Sequence, residues 1–135
     1  MILVDTSVWI GLLNGPLRRG VSADDLAGFL ICGPTAQEVL QGLRPVPASR
    51  AFRQAFLALT RVGDPLSLPT FLAAVDIYRE GRMKGITIRS ATDCLIAAIA
   101  IENDVPVWHH DRDFDAIAKY TRLRVVDRSE SHAAN

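Results

Sequence analysis

Short apolar runs alternate with amphipathic stretches along this chain. Residues 2–4 form an uninterrupted apolar run, which is typical of a strand buried on both faces, and residues 8–13 then place apolar side chains at helical spacing. The alternation continues to a last apolar run at residues 123–126. Such a pattern is typical of an α/β protein. We therefore predict three layers, α/β/α, with a central parallel sheet of four or five strands flanked by helices.

Proline, glycine and capping residues divide the chain into candidate elements. The predicted strands cover residues 2–4, 29–32, 66–68, 105–108 and 123–126. The predicted helices begin at a Thr6 or Ser7 cap and end before Gly15, then cover residues 22–27, 34–45, 48–60, 69–81, 90–102 and 113–120. In the helix that begins near Pro69, we expect an inward apolar face made of Phe71, Leu72, Val75 and Tyr78.

Length and composition are those of one folded unit. The chain has 135 residues, of which 49% are hydrophobic and 22% charged. We expect residues 1–128 to form a single domain and residues 129–135, which are polar and lack an apolar period, to be a disordered tail. No apolar run reaches the roughly 18–20 residues of a membrane span, and the first residues do not resemble a signal peptide. Two cysteines are too few for a disulfide scaffold, so we expect a cytoplasmic protein.

Charge is unevenly distributed along the chain. The net charge is zero, which argues against binding to nucleic acid through bulk positive charge. Residues 39–62, however, carry four arginines and no acidic residue, whereas residues 90–135 carry more acidic than basic residues. The basic stretch is compatible with two interpretations, a path for an RNA backbone or an ordinary solvated helix surface.

Five acidic residues occupy the places where a parallel α/β fold gathers side chains. They lie at the ends of predicted strands or near the starts of predicted helices: Asp5, Glu38, Asp93, Asp111 and Asp113. Ligands bind beyond the carboxyl ends of parallel strands, so the five groups are expected to converge there. A pair of carboxylates about 4 Å apart repels by roughly 4 kcal/mol at an effective dielectric near 20, and a hard cation such as Mg²⁺ or Mn²⁺ relieves that repulsion. Each acidic residue taken alone also fits a helix cap or a solvated position, but together they predict a metal centre.

Four segments carry these acidic residues in an order that resembles one known family. The segments are residues 2–10 (ILVDTSVWI), 35–42 (TAQEVLQG), 85–97 (GITIRSATDCLIA) and 110–114 (HDRDF). They resemble PIN-domain proteins, in particular the VapC toxins of VapBC type II toxin–antitoxin pairs, from Ile2 to about Val126. The resemblance departs at His109, where the family often has Thr or Ser; we expect an inward or stacked histidine there and assign it no catalytic role.

The resemblance implies a PIN fold and an endoribonuclease that depends on Mg²⁺ or Mn²⁺ and cuts tRNA or rRNA. The implied catalytic residues are Asp5, Glu38, Asp93 and Asp111. The implied metal ligands are Asp5, Asp93, Asp111 and Asp113. RNA would contact Arg89, Arg112 and the start of the first helix at Thr6, although the two arginines also fit ion pairs with the neighbouring acidic residues. Glu38 would orient or deprotonate the attacking water.

The resemblance also implies partners. They are a small VapB-type antitoxin that neutralises the toxin, a second copy of the chain in a homodimer, and a heterotetramer or hetero-octamer with the antitoxin. The alternative function is a non-catalytic PIN-like module that binds RNA or protein. A phosphatase of the haloacid dehalogenase kind is excluded, because Ser7 stands where that chemistry needs a second aspartate.

Overall fold

The computed structural model describes residues 1–14 and 22–126, and all structural statements below concern these two ranges. The predicted helix stop at Gly15 and the predicted tail at residues 129–135 lie outside them. The strands are β1 (Ile2–Val4), β2 (Phe29–Ile31), β3 (Thr60–Arg61), β4 (Val107–Trp108) and β5 (Val125–Val126). The helices are α1 (Thr6–Asn14), α2 (Ala23–Ala27), α3 (Gly33–Gln41), α4 (Pro47–Leu57), α5 (Leu68–Met83), α6 (Ala91–Glu102) and α7 (Arg112–Ala118).

All five strands pair in parallel in one sheet. Their order is β3-β2-β1-β4-β5, so β1 lies at the centre. Leu3 is aligned with Leu30 of β2 on one side and with Val107 of β4 on the other. Because parallel strands need crossover connections, helices cover both faces of the sheet. The predicted three-layer α/β/α fold with a parallel sheet is confirmed.

Alternation along each strand divides the core into two parts. Leu3 faces a cluster formed with α5, α6 and α7, whereas Ile2 and Val4 face a cluster formed with α1, α3 and α4. The second cluster is rich in aromatic rings, including Trp9 and Trp108, which are 3% and 0% exposed. Both tryptophans are therefore core residues. Within the described ranges, no helix is both long and apolar enough to cross a membrane.

The strand order reverses direction at β1. The chain moves from β1 outward to β2 and β3, and β4 then returns to the other side of β1. A crevice forms at such a reversal point, beyond the carboxyl ends of the two central strands. Asp5 follows β1 directly and His109 follows β4 directly. The sheet therefore brings two distant segments of the chain to one crevice.

The predicted strand at residues 66–68 is wrong. Leu68 is the first residue of α5, and the strand in this part of the chain is Thr60–Arg61, whose first residue is the last residue of the predicted helix 48–60. The preceding helix ends earlier, at Leu57. This strand is two exposed residues at the edge of the sheet, so it carries no apolar run that a sequence pattern could detect.

The predicted inward face of α5 is also wrong. The residues that α5 buries are smaller than the predicted ones, namely Thr70, Ala74, Ile77 and Gly81. Those predicted to be inward are exposed by 38% to 53%: Phe71, Leu72, Val75 and Tyr78. The contact between α5 and α6 is more extensive than that between any other two elements of the described ranges. Small residues permit this close approach of the two helices. The larger apolar side chains of α5 are left on the surface.

Candidate functional site

Asp5 caps the first helix with its own side chain. Its carboxylate Oδ2 accepts the backbone N–H of Ser7 at 3.1 Å, and its carbonyl accepts the N–H of Val8 at 3.1 Å. Asp5 rather than the predicted Thr6 or Ser7 is therefore the N-cap of α1. The backbone N–H of Asp5 still donates to the carbonyl of Trp108 at 2.9 Å, so the sheet holds this residue in place. Asp5 is 4% exposed.

Ser7 connects the ends of the two central strands, a role that the sequence did not indicate. Its hydroxyl donates to Asp5 Oδ2 at 2.6 Å and accepts the backbone N–H of His110 at 3.0 Å. Residues 7 and 110 are far apart in the chain, so no local pattern could have revealed this contact. The bridge holds the segment after β4 against the cap of α1.

Asp93 is the third residue of α6 and is buried. The Ser90 hydroxyl accepts the backbone N–H of Asp93 at 3.3 Å, so Ser90 is the N-cap of this helix. Asp93 is only 7% exposed. Among the described residues, its Oδ2 atom has no hydrogen-bond partner. An unpartnered buried carboxylate oxygen is costly, so this atom points to a ligand.

Asp111 and Asp113 bring two further carboxylates to Asp93. Asp111 is the N-cap of α7, and its Oδ1 accepts the backbone N–H of Asp113 at 2.9 Å. One carboxylate oxygen from each of Asp93, Asp111 and Asp113 lies within 4.8 Å of the other two. The structure thus brings together three of the four residues expected to bind metal.

The neighbouring negative charges change the acidity of Asp93. Burial raises the pKa of Asp93 to about 8, and the negative charges of Asp111, Asp5 and Asp113 add to the shift. With no cation beside it, the clustered negative charge favours the protonated form of the Asp93 carboxyl. The carboxylate set is therefore electrostatically suited to a divalent cation, which would remove the cause of the shift.

Glu38 lies beside Asp5, outside the group of three. Burial and the negative charge of Asp5 raise the pKa of Glu38. The charge of Asp5 raises the pKa of Asp93 as well. The negative charge of Asp5 therefore acts on both Glu38 and Asp93. Three of the five predicted acidic residues therefore lie close enough to share one ion, and Asp5 and Glu38 are linked to them by charge interactions.

The donor set fits a hard divalent cation. Mg²⁺ and Mn²⁺ take oxygen ligands, and the three clustered side chains supply only carboxylate oxygens. The unpartnered Oδ2 of Asp93 and the raised pKa of this residue both indicate that the cluster has negative charge that no neighbouring group compensates. Asp93, Asp111 and Asp113 could hold such an ion, with Asp5 adjacent.

Cys94 follows Asp93 but is not a nucleophile. It is 2% exposed, and burial together with the charge of Asp93 raises the pKa of its thiol to about 11. A thiol with this pKa is protonated at neutral pH and unreactive. Cys94 is a core residue.

His109 is buried between β4 and α7. It is 5% exposed, and its ring packs against Phe114 with the centroids 5.2 Å apart. Its Nδ1 atom accepts the backbone N–H of Asp111 at 3.0 Å, and its Nε2 atom lies 3.2 Å from Asp115 Oδ1. The expected inward, stacked histidine is confirmed, and its hydrogen bonds are additional to that expectation.

Arg89 and Arg112 lie at the rim of the acidic crevice. Both residues are exposed, and Arg89 is tied to the cluster through its backbone N–H, which donates to Asp113 Oδ2 at 3.3 Å. Neither guanidinium forms an ion pair with any carboxylate of the described ranges. The alternative structural role, ion pairing with the neighbouring acidic residues, is therefore not seen.

Comparison with known proteins places this geometry in a family. A PIN domain matches residues 2–120. The chain is 36% identical over 134 residues to the VapC ribonuclease Mb1587 of Mycobacterium bovis, with 93% of this chain and 98% of that protein covered. Ribonuclease VapC18 of Mycobacterium tuberculosis is 30% identical over 125 residues, with 87% and 88% covered.

The fold is also similar to a solved structure. The crystal structure of VapBC2 from Rickettsia felis, bound to a DNA fragment from its promoter, aligns with a TM-score of 0.71 at 18% sequence identity. The alignment covers 93% of this chain and 98% of that chain. Together, the match over residues 2–120 and the 36% identity along almost the entire length show that this chain belongs to the PIN-domain family, in its VapC group.

Proposed function

We propose that this protein is an endoribonuclease toxin of the VapC type, which hydrolyses phosphodiester bonds in tRNA or rRNA with Mg²⁺ or Mn²⁺ as cofactor. The observation that carries the proposal is a group of three carboxylates, each with an oxygen within 4.8 Å of the other two. One of these residues, Asp93, has a buried oxygen without a hydrogen-bond partner among the described residues. The 36% identity to a VapC ribonuclease supports the same activity. RNA hydrolysis inside the cell would inhibit translation and growth, and the proposed location is the cytoplasm.

Asp93, Asp111 and Asp113 would hold the cation, and Asp5 would complete the ligand set. When bound, the cation would lower the pKa of water and screen the negative charge of the phosphate. Asp5 keeps its orientation because Ser7 fixes its Oδ2 atom through two hydrogen bonds. Asp111 keeps its orientation because it caps α7. The ligands are therefore held in place by backbone and side-chain contacts before any cation binds.

Glu38 would act on the attacking water. It lies on α3, where the negative charge of Asp5 acts on it, and its raised pKa brings it closer to the range in which a carboxylate accepts a proton. Glu38 would accept the proton of the water that attacks the phosphorus atom. The bond from phosphorus to the 3′ oxygen would break, and that oxygen would take up a proton from solvent, which gives one 5′-phosphate end and one 3′-hydroxyl end.

RNA would approach the crevice along its basic rim. The exposed Arg89 and Arg112 would contact phosphates, and the start of α1 at Thr6 would present backbone N–H groups to the same backbone. Farther away, a depression with a volume near 610 Å³ is lined in part by Arg44, Arg50 and Arg53. These arginines add positive charge, and residues 39–62, to which they belong, contain no acidic residue.

The proposed partners are a VapB-type antitoxin and a second copy of this chain. Solved relatives with the same fold were determined as VapBC complexes. The exposed apolar side chains of α5, among them Leu72 and Val75, offer a surface on which a second copy would dock. One such dimer with two antitoxin chains would give the heterotetramer, and two such dimers with four antitoxin chains would give the hetero-octamer. A Val75→Lys variant that stays dimeric in light scattering would remove this surface from the proposal.

The activity is tested with purified protein and total cellular RNA. We expect cleavage of a defined tRNA or rRNA in millimolar Mg²⁺ or Mn²⁺, no cleavage in EDTA, and products that carry 5′-phosphates. The matched control is Asp104→Asn, which also removes one carboxylate but at an exposed residue paired with Arg124. RNA binding without cleavage under all metal conditions would instead favour the non-catalytic binding module and would contradict the proposal.

A further inference from the structure

His109 makes more contacts than a core residue needs. Its ring is packed on Phe114, which is fully buried, and this contact alone would explain an apolar side chain. Both ring nitrogens, however, also have polar partners. Nδ1 lies 3.0 Å from the backbone nitrogen of Asp111, and Nε2 lies 3.2 Å from Asp115 Oδ1.

These two distances define where the ring hydrogen lies. The backbone nitrogen of Asp111 can only donate, so Nδ1 accepts and carries no hydrogen. The hydrogen of the neutral ring is therefore on Nε2, where it is donated to the carboxylate of Asp115. The Asp115 side chain, which is 60% exposed, thus favours the one tautomer that leaves Nδ1 free to accept.

The acceptor matters because of where Asp111 stands. Strand β4 ends at Trp108 and α7 begins at Arg112, so the Asp111 N–H lies between the sheet and the helix and requires a partner from elsewhere. The imidazole supplies that partner. Fixing the Asp111 N–H fixes the backbone that aims the Asp111 carboxylate, which caps α7 and faces Asp93.

We propose that His109 is a positioning residue, which with Asp115 orients Asp111 for cation binding in the crevice. This inference deepens the proposed function and depends on it for the cation, whereas the hydrogen bonds themselves exist without one. Partners that orient metal ligands in this way typically change metal affinity by about 10- to 100-fold when they are removed. His109 touches no substrate and is not a catalytic residue.

Two substitutions separate positioning from packing. In His109→Asn, the side-chain oxygen occupies the place of Nδ1 and can still accept the Asp111 N–H, while the Asp115 contact is lost. In His109→Gln, the terminal amide reaches the place of Nε2 and can still donate to Asp115, while the acceptor for Asp111 is lost. Both variants lose the aromatic contact with Phe114, so their thermal stability should decrease to a similar extent.

The readout is Mn²⁺ affinity measured by calorimetry on the full chain. We expect His109→Asn to bind Mn²⁺ within about threefold of the wild type and His109→Gln to bind about 10- to 100-fold more weakly. Equal affinities of the two variants, or a loss that follows only their melting temperatures, would overturn the proposal.

A second measurement needs neither a variant nor a cation. In metal-free wild-type protein, two-bond ¹⁵N–¹H spectra should show His109 with its hydrogen on Nε2, and the Asp111 amide should be protected from exchange. A hydrogen on Nδ1 would overturn the proposal directly. A wild-type protein that shows these features but binds no Mn²⁺ would contradict the proposed function and leave the positioning contact confirmed, so the two failures are distinguishable.

Discussion

Asp93 and Asp111 lie in the first turn of α6 and at the cap of α7, and a carboxylate oxygen of each lies within 4.8 Å of the other. The two residues stand on separate helices that pack against each other and against the same face of the sheet. The two carboxylates therefore come together because their helices pack. In the absence of a cation, the negative charge of Asp111 favours protonation of Asp93.

The Asp93→Asn variant should lose nuclease activity while it keeps the fold. The substitution removes a negative ligand from the centre of the cluster, and metal-ion catalysis contributes several kcal/mol, so we expect the cleavage rate to decrease by at least about 100-fold. RNA cleavage and circular dichroism measure the two properties. Asp104→Asn should cut RNA at the wild-type rate; wild-type activity in Asp93→Asn would remove this residue from the site.

The metal-free protein should become less stable as pH rises. The pKa of Asp93 in the folded state is raised to about 8 from a value of 3.8, so between these values the folded state binds more protons than the unfolded state. The free energy of unfolding then decreases with rising pH, by at most about 1.4 kcal/mol per pH unit for one proton. The stabilising effect of the proton is complete below pH 4 and is lost as pH passes 8.

Asp93→Asn isolates this contribution, because the amide does not titrate. Urea unfolding at a series of pH values in EDTA should show that the stability of the wild type relative to Asp93→Asn decreases between about pH 5 and pH 8. A difference that is constant across this range would mean that the Asp93 carboxyl is already ionised in the folded protein.

Divalent cations should raise the melting temperature. A ligand that binds only the folded state stabilises it by about 2.7 kcal/mol at a concentration 100 times its dissociation constant. Thermal unfolding in EDTA and in millimolar Mn²⁺ or Mg²⁺ measures the effect, and Ca²⁺ serves as a cation of different size. If Asp93→Asn shows the same increase as the wild type, the ion binds elsewhere.

The Arg89→Ala variant should weaken RNA binding in a salt-dependent way. Loss of one phosphate contact should reduce the slope of log affinity against log salt by about one. Arg124→Ala is the matched control, because Arg124 is also exposed but is paired with Asp104. These two residues precede β5 and β4, at the amino ends of the strands and away from the crevice at their carboxyl ends. Equal slopes for the two variants would show that Arg89 makes no phosphate contact.

The Gly81→Ala variant should destabilise the fold. A Cβ atom on Gly81 would lie 2.6 Å from the Tyr120 hydroxyl and 3.1 Å from the carbonyl oxygen of Ile86. The Tyr120 hydroxyl cannot move without losing its hydrogen bond to the Ile77 carbonyl at 2.8 Å. We expect a loss of about 1–3 kcal/mol in urea unfolding. In Gly28→Ala the nearest neighbour of the new methyl group is the Asp25 carbonyl oxygen at 3.5 Å, an ordinary van der Waals distance, and φ is −92°, so that variant should be neutral or slightly more stable.

The sequence by itself determined the architecture and the identity of the acidic residues. Buried strands such as Ile2–Val4 are apolar throughout, and helix starts such as Ser90 carry capping side chains, so local patterns are sufficient to locate them. Those patterns also place each acidic residue at a strand end or near a helix start. The parallel fold follows from this order, because strands that alternate with helices pair in only a few ways.

The tertiary structure alone decided the contacts between distant segments. An edge strand such as Thr60–Arg61 is defined by pairing with β2 and not by its own composition, and α5 buries its small residues because α6 approaches it there. Likewise, the raised pKa of Asp93 and the hydrogen bond from Asp111 to His109 depend on which helices meet. Electrostatic and hydrogen-bond energies depend on distances of a few ångströms in space, and spacing along the chain does not fix these distances.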